Sequence, residues 1–272
     1  MQTFTRQGLT FDVDDHGPAD GEPVLLLHGF PQTRAMWGQV ADRLAHAGYR
    51  SLVPDQRGYS PGARPRGRRA YHVANLVADA AALARAAGAG PVHVVGHDWG
   101  AIVAWMLAAH RPEVVRSVTA VSVPHPGAFV DAILTTRQVR NSSYMFGFQL
   151  PVLPERALER TGLAELMVRT GLPRAAAERD AAALEGALTG PLNWYRALPL
   201  LTPARRRTPV DRQALLVWGA KDPFVTRIPV DANADFMRGD YRLEVLPRAG
   251  HWIPDRNADT LADLVLDRIR SA

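Results

Sequence analysis

A chain of 272 residues that is 47% hydrophobic and 22% charged has the make-up of a globular protein, long enough to bury a core without metal or disulfide staples. It holds no cysteine, which excludes disulfides, thiolate metal sites and a cysteine nucleophile. The net charge is +5 and Lys221 is the only lysine. The clusters Arg64, Arg66, Arg68, Arg69 and Arg205, Arg206, Arg207 are short, lie in Pro- or Gly-containing loops and lack interleaved aromatics, so they read as solvated loop charge rather than a nucleic-acid face.

Taken in chain order, the first residues, MQTFTRQGLTFDVDDHG, offer no apolar stretch behind a basic start, and no later apolar run is long enough to span a bilayer. The expectation is a cytoplasmic protein without membrane partners. TFTRQ and LTFDVDD read as an antiparallel pair of strands. Short apolar runs follow at Pro23–Leu27, Arg50–Val53, Val92–Val95, Ser117–Val123, Ala214–Trp218 and Arg242–Leu246, each closing in loop residues. Helical periodicity fills the gaps at Met36–Ala47, Val73–Ala87, Trp99–His110 and Asp259–Ile269. Alternation of this kind predicts an α/β fold with a mostly parallel central sheet flanked by helices.

The alternation breaks between residues 124 and 208, where prolines, aromatics and helical segments occur without a convincing strand. That region reads as an inserted helical cap, which leaves 1–123 and 209–272 as the core domain. Internal repeats and low-complexity linkers are absent. Composition does not set the oligomeric state, and a homodimer is admitted.

The candidate chemistry begins at GHDWGA, residues 96–101, where the strand ending at Val95 meets the helix starting at Trp99. Small-x-nucleophile-x-small at a strand-to-helix junction forces the middle residue onto a tight turn that exposes its side chain above the sheet edge. On its own the match also fits an Asp98 that simply caps the helix. Upstream, HGFP at 28–31 places a glycine turn after a strand, where the amide of Phe30, together with that of Trp99, would form a two-donor oxyanion hole. Downstream, Asp222 follows one strand and His251 the next. The chain order is therefore nucleophile, acid, histidine, each at a strand's carboxyl end.

These segments, with DQRGYS at 55–60, SVPHP at 122–126, YMFGFQLP at 144–151, NWYR at 193–196 and AGHWIP at 249–254, resemble the α/β-hydrolase fold, and within it the epoxide hydrolases. The likeness spans nearly the whole chain. It implies that Tyr144 and Tyr195, the positions matching two cap tyrosines of that family, point at the nucleophile. An epoxide expels an alkoxide on opening, so an acid must hydrogen-bond or protonate the ring oxygen as the C–O bond breaks; a phenol with an ordinary pKa of about 10 can donate at neutral pH.

The same chemistry accounts for a carboxylate at the elbow. An ionised Asp98 attacks saturated carbon directly and gives an alkyl-enzyme ester. His251, oriented by Asp222, then deprotonates a water that attacks the ester carbonyl, while the amides of Phe30 and Trp99 hold the oxyanion. The expected reaction is hydrolysis of an apolar epoxide to a vicinal diol. Phe30, Trp99, Met145, Phe148, Trp194, Phe224 and Trp252 are expected to line the substrate pocket, with Phe146 a further candidate.

His97 is expected to pack under the elbow, because strand alternation turns it away from Asp98. A structural role is expected for His125, at the start of the cap, and Asp55 and Arg57 are expected to pair with each other. Ser60-Pro61 stands where the family commonly has a further glycine, which bears only on that loop's path. The alternative reading is a haloalkane or haloacetate dehalogenase with the same Asp nucleophile, for which the two tyrosines would be redundant. An ester or lactone hydrolase is disfavoured by Asp98 in place of Ser, and a non-catalytic ligand-binding homologue by the intact triad order. With no phosphate-binding loop, dinucleotide fingerprint or H-E-x-x-H motif, no cofactor and no metal are implied.

Overall fold

The computed structural model describes every residue but Ala89. Eight strands, β1 (Thr3–Arg6), β2 (Leu9–His16), β3 (Glu22–Leu27), β4 (Tyr49–Pro54), β5 (Val92–His97), β6 (Val115–Val121), β7 (Gln213–Gly219) and β8 (Tyr241–Leu246), form one sheet. Their spatial order is β1-β2-β4-β3-β5-β6-β7-β8. β1 and β2 pair antiparallel, as do β2 and β4, and every later pairing is parallel. The α/β prediction thus holds, with strand ends displaced by a residue or two: β6 begins at Val115 and stops at Val121, two residues before the expected Val123.

The near-continuous apolar strands follow from burial on both faces. Along β3, Val24 and Leu26 enter one core while Leu25 and Leu27 enter the other. β7 repeats the pattern, with Leu215 and Val217 on the first side and Ala214, Leu216 and Trp218 on the second. Helix α1 (Gly38–His46) buries Val40, Ala41 and Leu44 and packs beside the C-terminal helix Ala258–Arg270 on the first face. Helices α2 (Val73–Ala86) and α3 (Trp99–His110) cover the second face.

Helix α3 is apolar nearly all round because it is enclosed: Ala101, Val103, Ala104, Trp105 and Leu107 are buried among β5, β6 and α2. Even the indole of Trp105 is accommodated, since its N–H donates to the carbonyl of Val123 at 3.1 Å. Between β6 and β7 the chain runs through short helices from α4 (Pro126–Thr135) to Pro203–Arg206, with no strand among the described residues. Likewise, no helix among them is long and apolar enough to cross a membrane.

The sheet order also fixes where a site can form. From β3 the chain passes to β4 on one side, whereas from β5 it passes to β6 on the other, so the adjacent carboxyl ends of β3 and β5 open a crevice. His28-Gly29-Phe30 and Asp98 lie at those two ends.

Candidate active site

Asp98 terminates β5 with φ 53° and ψ −117°, a backbone region costly for any residue with a side chain. Two glycines permit the turn. A Cβ on Gly96 would lie 2.1 Å from the carbonyl oxygen of Gly100, and one on Gly100 would lie 2.0 Å from that of Leu27. The carboxylate makes no capping bond to α3, which removes the reading of Asp98 as a helix cap. Instead its Oδ1 accepts from the amide of Phe30 at 2.8 Å.

Phe30 reaches that position because Gly29 lets the chain pass directly over the elbow: a Cβ there would sit 2.4 Å from the Cβ of Asp98. His28, fully buried, holds the strand end in place. Its Nδ1 bonds the carbonyl of Gly29 at 3.1 Å and its Nε2 accepts from the amide of Gln56 at 3.0 Å, bonds that fit a neutral ring, and burial lowers its pKa. The amide of Trp99 stands next to Asp98 at the start of α3, but among the described residues it makes no hydrogen bond to the carboxylate. Of the two amides named from sequence, that of Phe30 alone bonds the carboxylate among the described residues.

His251 is 2% exposed and stands between two carboxylates. Its Nδ1 donates to Oδ2 of Asp222 at 2.8 Å, and its Nε2 faces Oδ2 of Asp98 at 3.6 Å. Asp222 has one oxygen for each task. Its Oδ1 accepts from the amides of Phe224 and Val225 at 2.8 and 3.0 Å, closing the turn that carries Pro223; its Oδ2 is left for the histidine. Asp222 thus closes its own turn with one oxygen and bonds the histidine with the other.

Charge follows this geometry. Burial alone would lower the pKa of His251, but the charge and hydrogen bond of Asp222, followed by those of Asp98, raise it to about 10. For Asp98, burial pushes upward and is outweighed by His251, so the carboxyl ends below its ordinary value. Asp98 is thus an anion beside an imidazolium at neutral pH. His97 lies beneath, its ring centroid 4.8 Å from that of His251 and its Nε2 bonded to the carbonyl of His251 at 3.0 Å. Burial holds His97 neutral, with its pKa lowered to about 3, in keeping with a packing role.

Two cavities meet at Asp98. The larger, about 330 Å³, and the smaller, about 210 Å³, are both bordered by Asp98, Tyr144, Tyr195 and Phe224. Tyr195 comes from the helix Thr189–Ala197 and Tyr144 from the short helix Tyr144–Gly147. Their rings are 6.0 Å apart. Gln149 ties the two helices together, its Nε2 donating to the carbonyl of Tyr195 at 2.7 Å. Burial, reinforced by the charge of Asp98, keeps both phenols protonated well above the ordinary tyrosine value.

Of the residues expected at the pocket, Trp99 and Met145 line the larger cavity, Phe30, Phe148 and Trp252 the smaller, and Phe224 both; Phe146 also borders the larger. Trp194 borders neither. Its indole donates to the carbonyl of Arg57 at 2.7 Å, and its ring packs against His28, Tyr59 and Trp99 behind the site. The expected pairing of Asp55 with Arg57 is also corrected: Asp55 binds Arg34, and Arg57 binds Asp79 at 2.7 Å. His125 caps α4, its Nδ1 accepting from the amide of Gly127 at 3.1 Å. Sequence reading missed Ile102, Phe129 and Leu198 in the larger cavity and Leu158, Leu166 and Met167 in the smaller. An apolar residue on a helix carries no sign of whether it faces a core or a void.

Residues 22–258 match the family model described as alpha/beta hydrolase fold. The AB hydrolase superfamily protein YfhM of Bacillus subtilis is 32% identical over 99% of this chain and 98% of its own length. Epoxide hydrolase A of Mycobacterium tuberculosis is 30% identical over 96% of this chain and 94% of its own. Among solved structures, that of Bacillus megaterium epoxide hydrolase in complex with an inhibitor superposes with a TM-score of 0.87, covering 99% of this chain and 100% of the other at 23% identity.

Proposed function

The chain belongs to the α/β-hydrolase fold family, among its epoxide hydrolases, and from that premise we propose how its residues convert an apolar epoxide and water to a vicinal diol. The helical segment 124–208 acts as a cap over the core formed by 1–123 and 209–272, and delivers Tyr144 and Tyr195 to the roof of the site. The observation that carries the reading is that these two protonated phenols and the anionic Asp98 border the same two apolar cavities.

In the first step Oδ2 of Asp98 attacks a ring carbon, because Oδ1 is already engaged by the amide of Phe30. The C–O bond breaks as the tyrosines donate to the departing oxygen, giving an ester on Asp98 and a neutral alcohol. Esterification removes the negative charge 3.6 Å from His251. One of the two influences that raise its pKa disappears with it, so the histidine becomes a better-matched base just when one is required. The imidazolium first gives up its proton, which replaces the one the tyrosines donated, and the neutral His251 then takes a proton from water as the water attacks the ester carbonyl. The oxyanion on Oδ1 keeps its bond from Phe30 and gains the adjacent amide of Trp99. Collapse expels the alkoxide, which takes up the second proton of the water, and so releases the diol and restores the Asp98 carboxylate beside the imidazolium.

A parallel screen of epoxides, haloalkanes, haloacetates and esters, reading diol, halide and acid, tests this. Diol from epoxides is the expected result. Halide release without diol formation would instead assign the site to dehalogenation.

A further inference from the structure

A chain without a spanning helix can still lie on a bilayer surface, and the cap carries residues suited to it. Phe146, Leu150, Val152 and Leu153 are between 50% and 61% exposed, and Pro151 is exposed as well. Four consecutive apolar residues, 150–153, therefore face solvent, a run that protein surfaces avoid unless it binds something.

The exposure is built into the fold. Arg196, itself buried, donates to the carbonyls of Phe148 and Leu150 at 3.1 and 2.8 Å and to both oxygens of Glu155 at 2.8 Å, which clamps the segment in place. At its tip the amide of Leu153 bonds the carbonyl of Pro151 at 2.7 Å, across Val152 with φ 67° and ψ −37°. That is a γ-turn of the rare, strained hand, and a β-branched residue is a costly choice for it. Glycine would suit the turn; valine adds an apolar side chain in solvent.

Charge selects what covers the patch. In the helix Leu153–Thr161 the 3.6-residue period places Leu153, Arg156, Ala157 and Arg160 on one face, all exposed, while Pro154 and Leu158 are buried on another. Arg137 and Arg140 are exposed on the amino-terminal side of Phe146. Among the described residues none of these four arginines joins an ion pair. Glu155 is neutralised by Arg196, which leaves Glu159 as the one unpaired acidic residue between 137 and 160. A second copy across a two-fold axis would set the same arginines against each other, and a nucleic acid would leave the apolar run in water. Apolar side chains flanked by arginines match an anionic bilayer, in which the former enter the acyl boundary and the latter meet the headgroups. Phe146 also borders the larger cavity, and the exposed Leu166 the smaller, so each cavity has an exposed apolar residue of the cap at its wall.

We propose that the cap segment 146–160 is a docking surface for an anionic lipid bilayer, from which apolar substrate reaches the site. Delivery of substrate rests on the epoxide hydrolase reading; the docking does not.

Flotation with phosphatidylcholine vesicles, with and without phosphatidylglycerol, tests the surface. The wild type is expected to float with the anionic vesicles in low salt and to be released by high salt. Arg156→Gln with Arg160→Gln should weaken binding by about thirtyfold, and Leu150→Ser with Leu153→Ser by about tenfold or more, with turnover of dissolved styrene oxide unchanged in both. Val152→Gly, which suits the γ-turn and so leaves folding intact, should weaken binding by about fivefold. A wild type that floats with neither vesicle, or binding unmoved by all three variants, overturns the docking surface. So does a wild-type dimer that Leu150→Ser with Leu153→Ser dissociates, which would assign the patch to a second copy. A wild type that binds vesicles but leaves styrene oxide and other epoxides intact sinks the epoxide hydrolase reading and not the docking.

Discussion

Replacing His251 with Gln separates the two chemical steps and exposes a second duty of the histidine. Alkylation of Asp98 needs no base, whereas a general base contributes about 10²–10⁴-fold to hydrolysis, so the variant accumulates the alkyl-enzyme ester. The histidine is also the cation opposite the nucleophile. At 3.6 Å and an effective dielectric of about 20, the attraction amounts to about 4–5 kcal/mol. Gln removes it, while the burial that pushes Asp98 upward remains, with the amide of Phe30 still bonded to the carboxylate. In the variant Asp98 therefore ionises at higher pH than in the wild type. Adduct formation should be efficient near about pH 8 and weak near about pH 5. Rapid mixing with styrene oxide, acid quench and intact-mass analysis, with peptide mapping to Asp98, measures both effects. Equal adduct at both pH values would refute the electrostatic coupling, and no adduct under conditions where the wild type turns over would refute the covalent route.

The double variant Tyr144→Phe, Tyr195→Phe should lower kcat on epoxides by about 10²–10⁴-fold while the fold persists; full activity would remove the tyrosines from the mechanism. Gly29→Ala places a Cβ 2.4 Å from that of Asp98 and 2.5 Å from its Oδ1, displacing the Phe30 amide. A loss of about 10²–10³-fold in kcat is expected, with a thermal melt run alongside to separate it from unfolding. Asp255, buried beside Asp180 where the core loop at Gln32 meets the helix Arg174–Ala183, has its pKa raised to about 6, chiefly by burial. Between the ordinary value of 3.8 and about 6 the folded state holds a proton that the unfolded chain has released, so stability falls as pH rises through that window. Asp255→Asn keeps an acceptor for Gln32 and removes the charge. It should flatten that fall and stabilise the protein near about pH 7.5 by up to about 3 kcal/mol, read as a higher Tm by calorimetry; a lower Tm there would contradict the assignment.

Much of the site was legible in the chain because its geometry is local. Gly96 and Gly100 are required by contacts within a single strand-to-helix turn, and Asp222 sits in a turn closed by its own next residues. Such features are written into a few consecutive residues. Strands with both faces buried show themselves as unbroken apolar runs, which is how β3, β5 and β7 were found and why the order of Asp98, Asp222 and His251 along strand ends was readable. The capping alternative for Asp98 needed coordinates, since cap and nucleophile share a sequence and differ only in where the carboxylate turns.

What tertiary structure decided concerns partners that no spacing encodes. Long charged side chains bind whatever the fold brings near, and so Asp55 found Arg34 and Arg57 found Asp79 although the two lie two residues apart. An indole buried against backbone looks in sequence like one facing a ligand, and Trp194 proved to be the former. The same ambiguity ran the other way for Arg206, whose neighbours in sequence are surface charges while its own Nε is buried at the wall of the larger cavity. Sequence sufficed to place Asp98 and Asp222 because each is held by its own local turn. The shape and charge of the space around them arise from segments far apart in the chain, and they became visible only once those segments were packed together.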